Sequence, residues 1–284
     1  LDINLGNVGS SGGPGGPNAD WMHFNAISYN ADLDQIILSS RFRDEIYIID
    51  HSTTTEEASG HSGGIYGMGG DFLYRWGNPQ NYNRGSSSDH ILDDQHGINW
   101  IDQGFPGAGN LILFNNGHSG NNSAVLELVT PILDDGSYYI ADGEPYGPDS
   151  WTWIHMGGFQ SDVQSGAFRM PNGNTLITVA SDGRIFEVNS DGDVVWDYEH
   201  PGNQVMIARA DKYSYEYLDP GSIVISGDIN QDSMVNVQDV ILLVNFILNV
   251  MEADEYQLAA ADMNNDSLVN ITDVILVVNV ILGV

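Results

Sequence analysis

The segment Asp93-Asp94-Gln95-His96-Gly97-Ile98-Asn99-Trp100-Ile101 runs on to Gly107-Ala108-Gly109-Asn110-Leu111-Ile112-Leu113-Phe114. It reads as a strand, a turn built on Pro106, Gly107 and Gly109, and a second strand, with one imidazole, His96, where the first strand begins. The pattern occurs twice more. Upstream it is His23-Phe24-Asn25-Ala26-Ile27-Ser28-Tyr29, a turn over Ala31 to Asp34, then Gln35-Ile36-Ile37-Leu38. Downstream it is Gln164-Ser165-Gly166-Ala167-Phe168-Arg169-Met170, the turn Pro171-Asn172-Gly173, then Asn174-Thr175-Leu176-Ile177. Each copy is followed by a further strand: Glu45 to Asp50, Ser123 to Val129 and Arg184 to Val188. Strands recurring with turn chemistry at about 40 to 75 residues predict an all-β fold, a β-propeller with one blade per repeat.

The chain has 284 residues, room for one large β domain with a small module beside it. Eight basic residues against 39 acidic ones give a net charge of −31, which excludes non-specific attraction to nucleic acid or anionic lipid. So acidic a surface suits salty surroundings or the binding of divalent cations. Cysteine is absent, so no disulfide framework exists. No stretch approaches the roughly 18 apolar residues of a membrane span. The opening Leu1-Asp2-Ile3-Asn4-Leu5 has no methionine or signal peptide before it, and the first repeat begins almost at once. The expectation is therefore the C-terminal part of a longer chain, with about three to four blades of an incomplete ring.

Residues 6 to 19, rich in Gly, Ser and Pro, read as a surface loop. The first blade spans about Trp21 to Trp76, with Phe24 to Tyr29, Gln35 to Ser40 and Glu45 to Asp50 inside, Phe72 to Trp76 outermost, and a Gly-rich insertion over Thr53 to Gly70. The second begins at Gln95, continues through Asn110 to Phe114 and Ser123 to Val129, and ends near Trp151-Thr152-Trp153. The third holds Gly166 to Met170, Asn174 to Val179, Arg184 to Val188 and Val194 to Tyr198. Val205 to Ala210 is expected as one more strand, and Tyr213 to Pro220 as a linker. The propeller is assigned to 1–222 and the terminal module to 226–284.

From Gly227 the pattern changes. Asp228-Ile229-Asn230-Gln231-Asp232-Ser233-Met234-Val235-Asn236-Val237-Gln238-Asp239 leads into an apolar, helix-like Val240 to Leu248. Asp262-Met263-Asn264-Asn265-Asp266-Ser267-Leu268-Val269-Asn270-Ile271-Thr272-Asp273 leads into Val274 to Leu282 in the same way. A hard dication needs six to eight oxygens, which a 12-residue loop supplies from positions 1, 3, 5, 7, 9 and 12. In the first loop these are Asp228, Asn230, Asp232, the Met234 carbonyl, Asn236 and Asp239; in the second, Asp262, Asn264, Asp266, the Leu268 carbonyl, Asn270 and Asp273. Ser233 and Ser267 stand where an EF-hand loop has Gly, and Asp replaces its closing Glu. Two copies in register predict calcium as the bound ion.

Duplicated loops closed by Asp, each followed by an apolar helix, resemble the dockerin type I module, a small α-helical EF-hand-like domain. That resemblance implies two calcium ions and an extracellular, cohesin-like protein partner, chosen in part at Val237 with Gln238 and Ile271 with Thr272.

Aligning the repeats at Gln35, Asn110 and Asn174 brings Arg41, Asn116 and Ala180 to one position, with His23, His96 and Ser165 near another. His23, Asn25, Arg41, His96 and Asn116 then converge on the channel as an anion site, or stand there as ordinary residues bonded to backbone. An Arg beside two imidazoles, among only eight cations, would make a local anion site in an acidic protein, and the residues alone leave both readings open.

Trp21-Met22-His23-Phe24-Asn25, Ser39-Ser40-Arg41, Gly70-Asp71-Phe72-Leu73-Tyr74-Arg75-Trp76-Gly77-Asn78-Pro79, Gln95-His96 and Pro171-Asn172-Gly173-Asn174-Thr175-Leu176-Ile177 resemble the arylsulfotransferase family. The resemblance covers about residues 1 to 215. It implies a six-bladed propeller that moves a sulfuryl group from an aryl sulfate to a phenolic acceptor through a sulfated histidine. It also implies His96 as nucleophile, with His23, Asn25 and Arg41 binding and stabilising the group. A secreted protein, periplasmic or extracellular, is expected. The alternative is a non-catalytic extracellular binding or structural propeller that self-associates along open blade edges.

Plainer roles fall to the rest. His51, His61, His90, His118, His155 and His200 read as solvated, Trp100, Trp151, Trp153 and Trp196 as packing between blades, and Arg169 as an ion-pair partner.

Overall fold

Leu111 to Phe114 is apolar without alternation, and its surroundings explain why. In the computed structural model, which describes residues 20, 22–120, 122–202, 205–213, 217 and 224–283, Leu111 and Leu113 pack with the sheet before them. Ile112 and Phe114 pack with the sheet after them. A strand buried on both faces has no use for the polar positions that a half-exposed strand carries.

Three four-stranded antiparallel sheets follow in chain order, each a simple up-and-down meander. The first contains β1 (Phe24–Asn30), β2 (Gln35–Ser40), β3 (Glu45–Asp50) and β4 (Tyr74–Trp76). The second contains β5 (His96–Trp100), β6 (Leu111–Ser119), β7 (Asn122–Leu128) and β8 (Trp153–Met156). The third contains β9 (Gly166–Arg169), β10 (Thr175–Val179), β11 (Arg184–Val188) and β12 (Val194–Glu199). Strands β1 and β2 lie against β5, and β5 and β6 against β9, so consecutive sheets meet through their first strands. These are three blades of a β-propeller.

Two cores result. Ile37, Ile46, Ile48, Tyr74 and Trp76 meet Ile98, Trp100, Leu111, Leu113 and Leu126 between the first and second blades. Ile112, Phe114 and Val125 meet Ala167, Ile177, Val179 and Phe186 between the second and third. Arg169 and Glu127 form an ion pair at 2.5 Å that ties β9 to β7. Within the first blade, Arg75 on β4 grips buried Glu45 on β3 with two bonds, Nε to Oε1 at 3.0 Å and Nη2 to Oε2 at 2.7 Å. Tyr47 and Asn81 donate to the same carboxylate, and the guanidinium lies over the Tyr47, Phe72 and Tyr82 rings.

Several expectations need correction. Val205 to Ala210 is not a strand; it lies along the third blade, accepting from Ser165 N at Ala208 O and donating Ile207 N to Ala180 O. Alternating apolar residues suggested a strand, but it lacks an antiparallel partner. The Gly-rich insertion hides a one-turn helix, α1 (Thr55–Ala58), nucleated by a Thr54–Glu57 capping box. Trp196 is 48% exposed on β12, every residue of which is exposed. His155 is not solvated but stacks between Trp153 and Phe159, and His118 lies edge-on to Trp151. Leu1 to Leu5, residues 6 to 19, Trp21 and most of the Tyr213 to Pro220 connection lie outside the described residues.

The chain divides into two compact units, Leu1–Asp211 and Lys212–Val284. The second holds α2 (Val237–Ile247), α3 (Glu255–Ala261) and α4 (Ile271–Leu282) around Ile229, Leu243, Phe246, Ala260, Ala261 and Val277. Helices α2 and α4 start three residues before their apolar runs because Asn236 and Asn270 cap them. Helix α3 carries no amphipathic signal; an Asp254–Gln257 capping box starts it.

Replacing Arg75 by Met leaves Glu45 as a buried, uncompensated charge. Urea unfolding of this variant is expected to show a loss of about 3–5 kcal/mol.

Candidate functional site

The three blades open alike. Ser39, Phe114 and Thr178 stand four residues beyond the anchors Gln35, Asn110 and Asn174. In the ladders they face Ala26 (with Asn25 bulged beside it), His96 and Gly166. Two residues before Asn25, His96 and Gly166 each chain passes through a left-handed residue: His23 (φ 48°), Asp94 (φ 55°) and Gln164 (φ 50°). Asn25 is therefore level with His96, and His23 corresponds to Asp94. The sequence alignment had placed His23 with His96; the bulge in β1 and another in β5 shift the register.

His96 is 6% exposed. Its Nδ1 lies 2.9 Å from Asp94 O and 2.9 Å from Asn116 Oδ1. The Asn116 amide nitrogen is committed elsewhere, donating to Ser161 O and Gln164 O, so its oxygen is the atom facing the imidazole. Two acceptors on Nδ1 assign the proton to that nitrogen, leaving the Nε2 lone pair for chemistry. Burial lowers the His96 pKa, and Arg41 pushes in the same direction against the bonds to Asn116 and Asp94. A neutral imidazole at neutral pH follows.

Arg41 follows directly on β2, opening the 3-10 turn Arg41–Arg43, and its Nη2 reaches Asp94 Oδ2 at 2.7 Å and Asp162 O at 3.2 Å. Asn25 donates to Gln95 O at 2.7 Å. Gln95, fully buried, donates to Ser39 Oγ, Ser40 O and Glu45 O. Among the described residues five buried side-chain atoms have no hydrogen-bond partner. Three of them, Asn25 Oδ1, Arg41 Nε and Gln95 Oε1, belong to residues bracketing His96. His23 stands apart, its Nδ1 bonded to Asp20 and its ring against Phe42, joined to the cluster through Arg41 N, which donates to His23 O.

The pairing of Arg41 with Asp94 was not legible in the sequence. Asp93, Asp94 and Asp44 offer carboxylate oxygens within 4.8 Å of one another beside Arg41. Burial raises the Asp93 pKa, and the Asp44 and Asp94 charges add to this. His90 is raised by its bond to Asp44.

The two terminal loops share most of their hydrogen bonds. Asp228 accepts from Asp232 N and Ser233 N, and Asp262 accepts from Asp266 N and Ser267 N. Asn230 and Asn264 each bond the Asp two residues on, and Asp239 and Asp273 close the loops on their first turns and on Asn236 N and Asn270 N. The Met234 and Leu268 carbonyls face the Asn236 and Asn270 amides, which also serve as helix caps. Ser233 and Ser267 both sit at φ 67°, the left-handed conformation that Gly fills in EF-hand loops. Asp239 and Asp273 are fully buried, and no Lys, Arg or His occurs after Lys212 to offset them. An all-oxygen set with buried carboxylates and no protein cation fits a hard dication.

The arylsulfotransferase (ASST) family profile matches residues 6–128, and the dockerin type I domain profile matches 226–282. The fold and site thus define a β-propeller unit joined to a dockerin-type module. The first match falls within the unit Leu1–Asp211 and the second within the unit Lys212–Val284. No curated protein matches the sequence. Among solved structures, a Bacteroides caccae protein of unknown function aligns at 11% identity over 66% of this chain and 49% of its own, TM-score 0.36. A virginiamycin B lyase from Staphylococcus aureus aligns at 11% over 64% and 42%, TM-score 0.32. The Cps50 (Swd1) β-propeller domain of Myceliophteria thermophila aligns at 12% over 64% and 42%, TM-score 0.32. The chain thus spans about half the length of these structures or less. Among the described residues, no helix is long and apolar enough to cross a membrane.

The lowered pKa of His96 has a sign. Between the folded value and the ordinary value near 6.5 the unfolded chain binds the proton more readily, so stability rises with pH across that window. NMR titration should place the His96 midpoint below those of exposed imidazoles. His96→Gln should remove its share of the stability lost on going from neutral pH to about pH 5.

Proposed function

We propose that the propeller transfers a sulfuryl group from an aryl sulfate to a phenol through a sulfated His96, and that the terminal module attaches the protein to an extracellular partner in a calcium-dependent way. The observation that carries the first part is the bonding of His96 Nδ1 to two carbonyl-type oxygens. The Nε2 lone pair attacks sulfur, the sulfur–oxygen bond to the aryl group breaks, and a phenolate leaves, readily because its pKa is only about 10. As the ring becomes cationic, Asp94 O and Asn116 Oδ1 hold the Nδ1 proton and its charge. Arg41 supplies donors toward oxygens that carry the spread charge of the group in flight, and Asn25 the second hydrogen of an amide nitrogen whose first goes to Gln95 O. His23 serves as acid or base for the leaving and entering phenols. A second phenol then attacks sulfur and frees His96.

For the module, the Asp and Asn oxygens of both loops with the Met234 and Leu268 carbonyls hold two calcium ions, which supply the positive charge that the buried carboxylates lack. Its outward residues repeat with the loops: Val237 and Ile271 are each 64% exposed, and Ile241 with Ile275 and Leu248 with Leu282 are exposed likewise. Paired apolar positions support a cohesin-like protein partner, and hence a secreted protein, periplasmic or extracellular.

A second reading, a non-catalytic extracellular propeller that binds or assembles, is favoured by one observation. Phe24, Ile27 and Tyr29 on β1 and Val194, Val195 and Trp196 on β12 are exposed at the two ends of the blade array. Open strand edges with apolar side chains favour pairing with other chains.

Incubating the longest natural form of the protein with 4-nitrophenyl sulfate and no acceptor should leave a sulfuryl adduct on His96, seen by mass spectrometry under non-acidic conditions. His96→Ala should abolish adduct and transfer, and Arg41→Ala should slow transfer on the order of 10²- to 10³-fold. Turnover retained in His96→Ala would put the second reading first. Calorimetry of chelator-treated protein should find about two calcium sites. The combined Asp228→Ala and Asp262→Ala variant should lose both, and chelation should lower the module's helical signal.

A further inference from the structure

Arg41 faces more negative charge than it can offset. Asp94 Oδ2 lies 2.7 Å from its Nη2, and Asp44 and Asp93 complete a group of three carboxylates with oxygens within 4.8 Å of one another. His90 Nε2 lies 3.2 Å from Asp44 Oδ2, and that bond raises its pKa. Arg41 still has bonding capacity, because its Nε is buried without a partner. An anion seeking that guanidinium must therefore compete with a carboxylate already in place and cross the field of two more.

That field acts in proportion to the charge of the ligand. A sulfate ester carries one negative charge. Inorganic sulfate carries two, and a phosphate monoester carries about −1.5 to −2 near neutral pH. The carboxylates thus weigh about twice as heavily against the dianions.

We propose that Asp94 is a specificity-determining residue: its carboxylate, held against Arg41 and flanked by Asp44 and Asp93, admits singly charged sulfate esters to the His96 site and rejects doubly charged oxyanions. The proposal rests on the reading of His96 and Arg41 as a sulfuryl site and names the charge class of ligand that site takes. A phosphate ester of the same aryl group, or free sulfate in excess, is kept off the nucleophile. Asp94 is suited to this because its backbone does separate work. Its carbonyl accepts from His96 Nδ1 and its N–H donates to Asp44 Oδ1 at 2.9 Å, in a left-handed conformation that asparagine also adopts. Asp94→Asn therefore changes the charge and leaves the His96 support in place.

The test is calorimetric binding of 4-nitrophenyl sulfate, inorganic sulfate and phenyl phosphate to the longest natural form of the protein, at one neutral pH and one low salt concentration. The natural protein is expected to favour the monoanionic ester. In Asp94→Asn the ester should gain on the order of 5-fold and the dianions on the order of the square of that, about 25-fold, because the repulsion removed scales with ligand charge. Asp93→Asn removes a charge of the same group that does not bond Arg41, and should give a smaller shift of the same sign; it also keeps the test decisive should Asp94→Asn fold poorly. Equal gains for ester and dianions, or losses for both, overturn the proposal. An unchanged ratio with the His96 adduct still formed overturns it alone. A shifted ratio without any adduct overturns the transfer reading and leaves the selectivity standing. Failure of all three anions to bind either protein overturns both.

Discussion

Burial of β6 on both faces is the constraint on which the propeller unit depends. Leu111 and Leu113 close one core and Ile112 and Phe114 the other, so one four-residue run holds three blades in order. Buried aliphatic and aromatic side chains each contribute about 1.5–3 kcal/mol by leaving water. The polar anchors between blades work with that packing. Gln95, buried at the start of the second blade, bonds three oxygens of the first, and Arg169 reaches back from the third to Glu127 of the second.

The site is a by-product of how blades begin. Each first strand is entered through a left-handed residue, which turns the chain so that the residue two places on stands at the inner end of its sheet. In three successive blades that place is taken by Asn25, His96 and Gly166. A Cβ built on Gly97 would lie 2.9 Å from the Gly166 Cα, and one built on Gly166 would lie 3.3 Å from the Arg209 side chain, so the two backbones pass close together here. One imidazole is thus set between an amide on one side and bare backbone on the other. Asn116, at the end of the neighbouring strand, orients it.

Charge shapes this place as much as packing does. A chain with a net charge of −31 has few cations to deploy. Arg75, Arg169 and Arg184 are paired with Glu45, Glu127 and Asp197, so Arg41 stands out for its position beside His96 rather than for lacking a partner. The helical module solves the same excess of acid differently. Its loops gather carboxylates with no protein cation among them, and most of their hydrogen bonds recur in both copies.

Much was legible in the sequence. Turn residues and apolar runs placed eleven of the twelve strands found among the described residues, β8 beginning only where the expected Trp151 to Trp153 ended, because a buried strand must be apolar and a tight turn must bend. The offset between Asp228 and Asp262 exposed the duplicated loops, because Asp and Asn recur there at fixed chain spacing. Local chemistry of this kind travels with the residues themselves. What tertiary structure alone decided was register and pairing. A bulge adds one residue to a strand without any compositional mark, and that is enough to set Asn25, not His23, level with His96. Arg41 and Asp94 are 53 positions apart, and no periodicity links them; they meet because two blades pack. The tautomer of His96 likewise depends on Asn116 from another strand. The sequence by itself determined which residues could do chemistry and on what kind of scaffold; the fold decided which of them face one another, because contacts between blades are set by packing and not by distance along the chain.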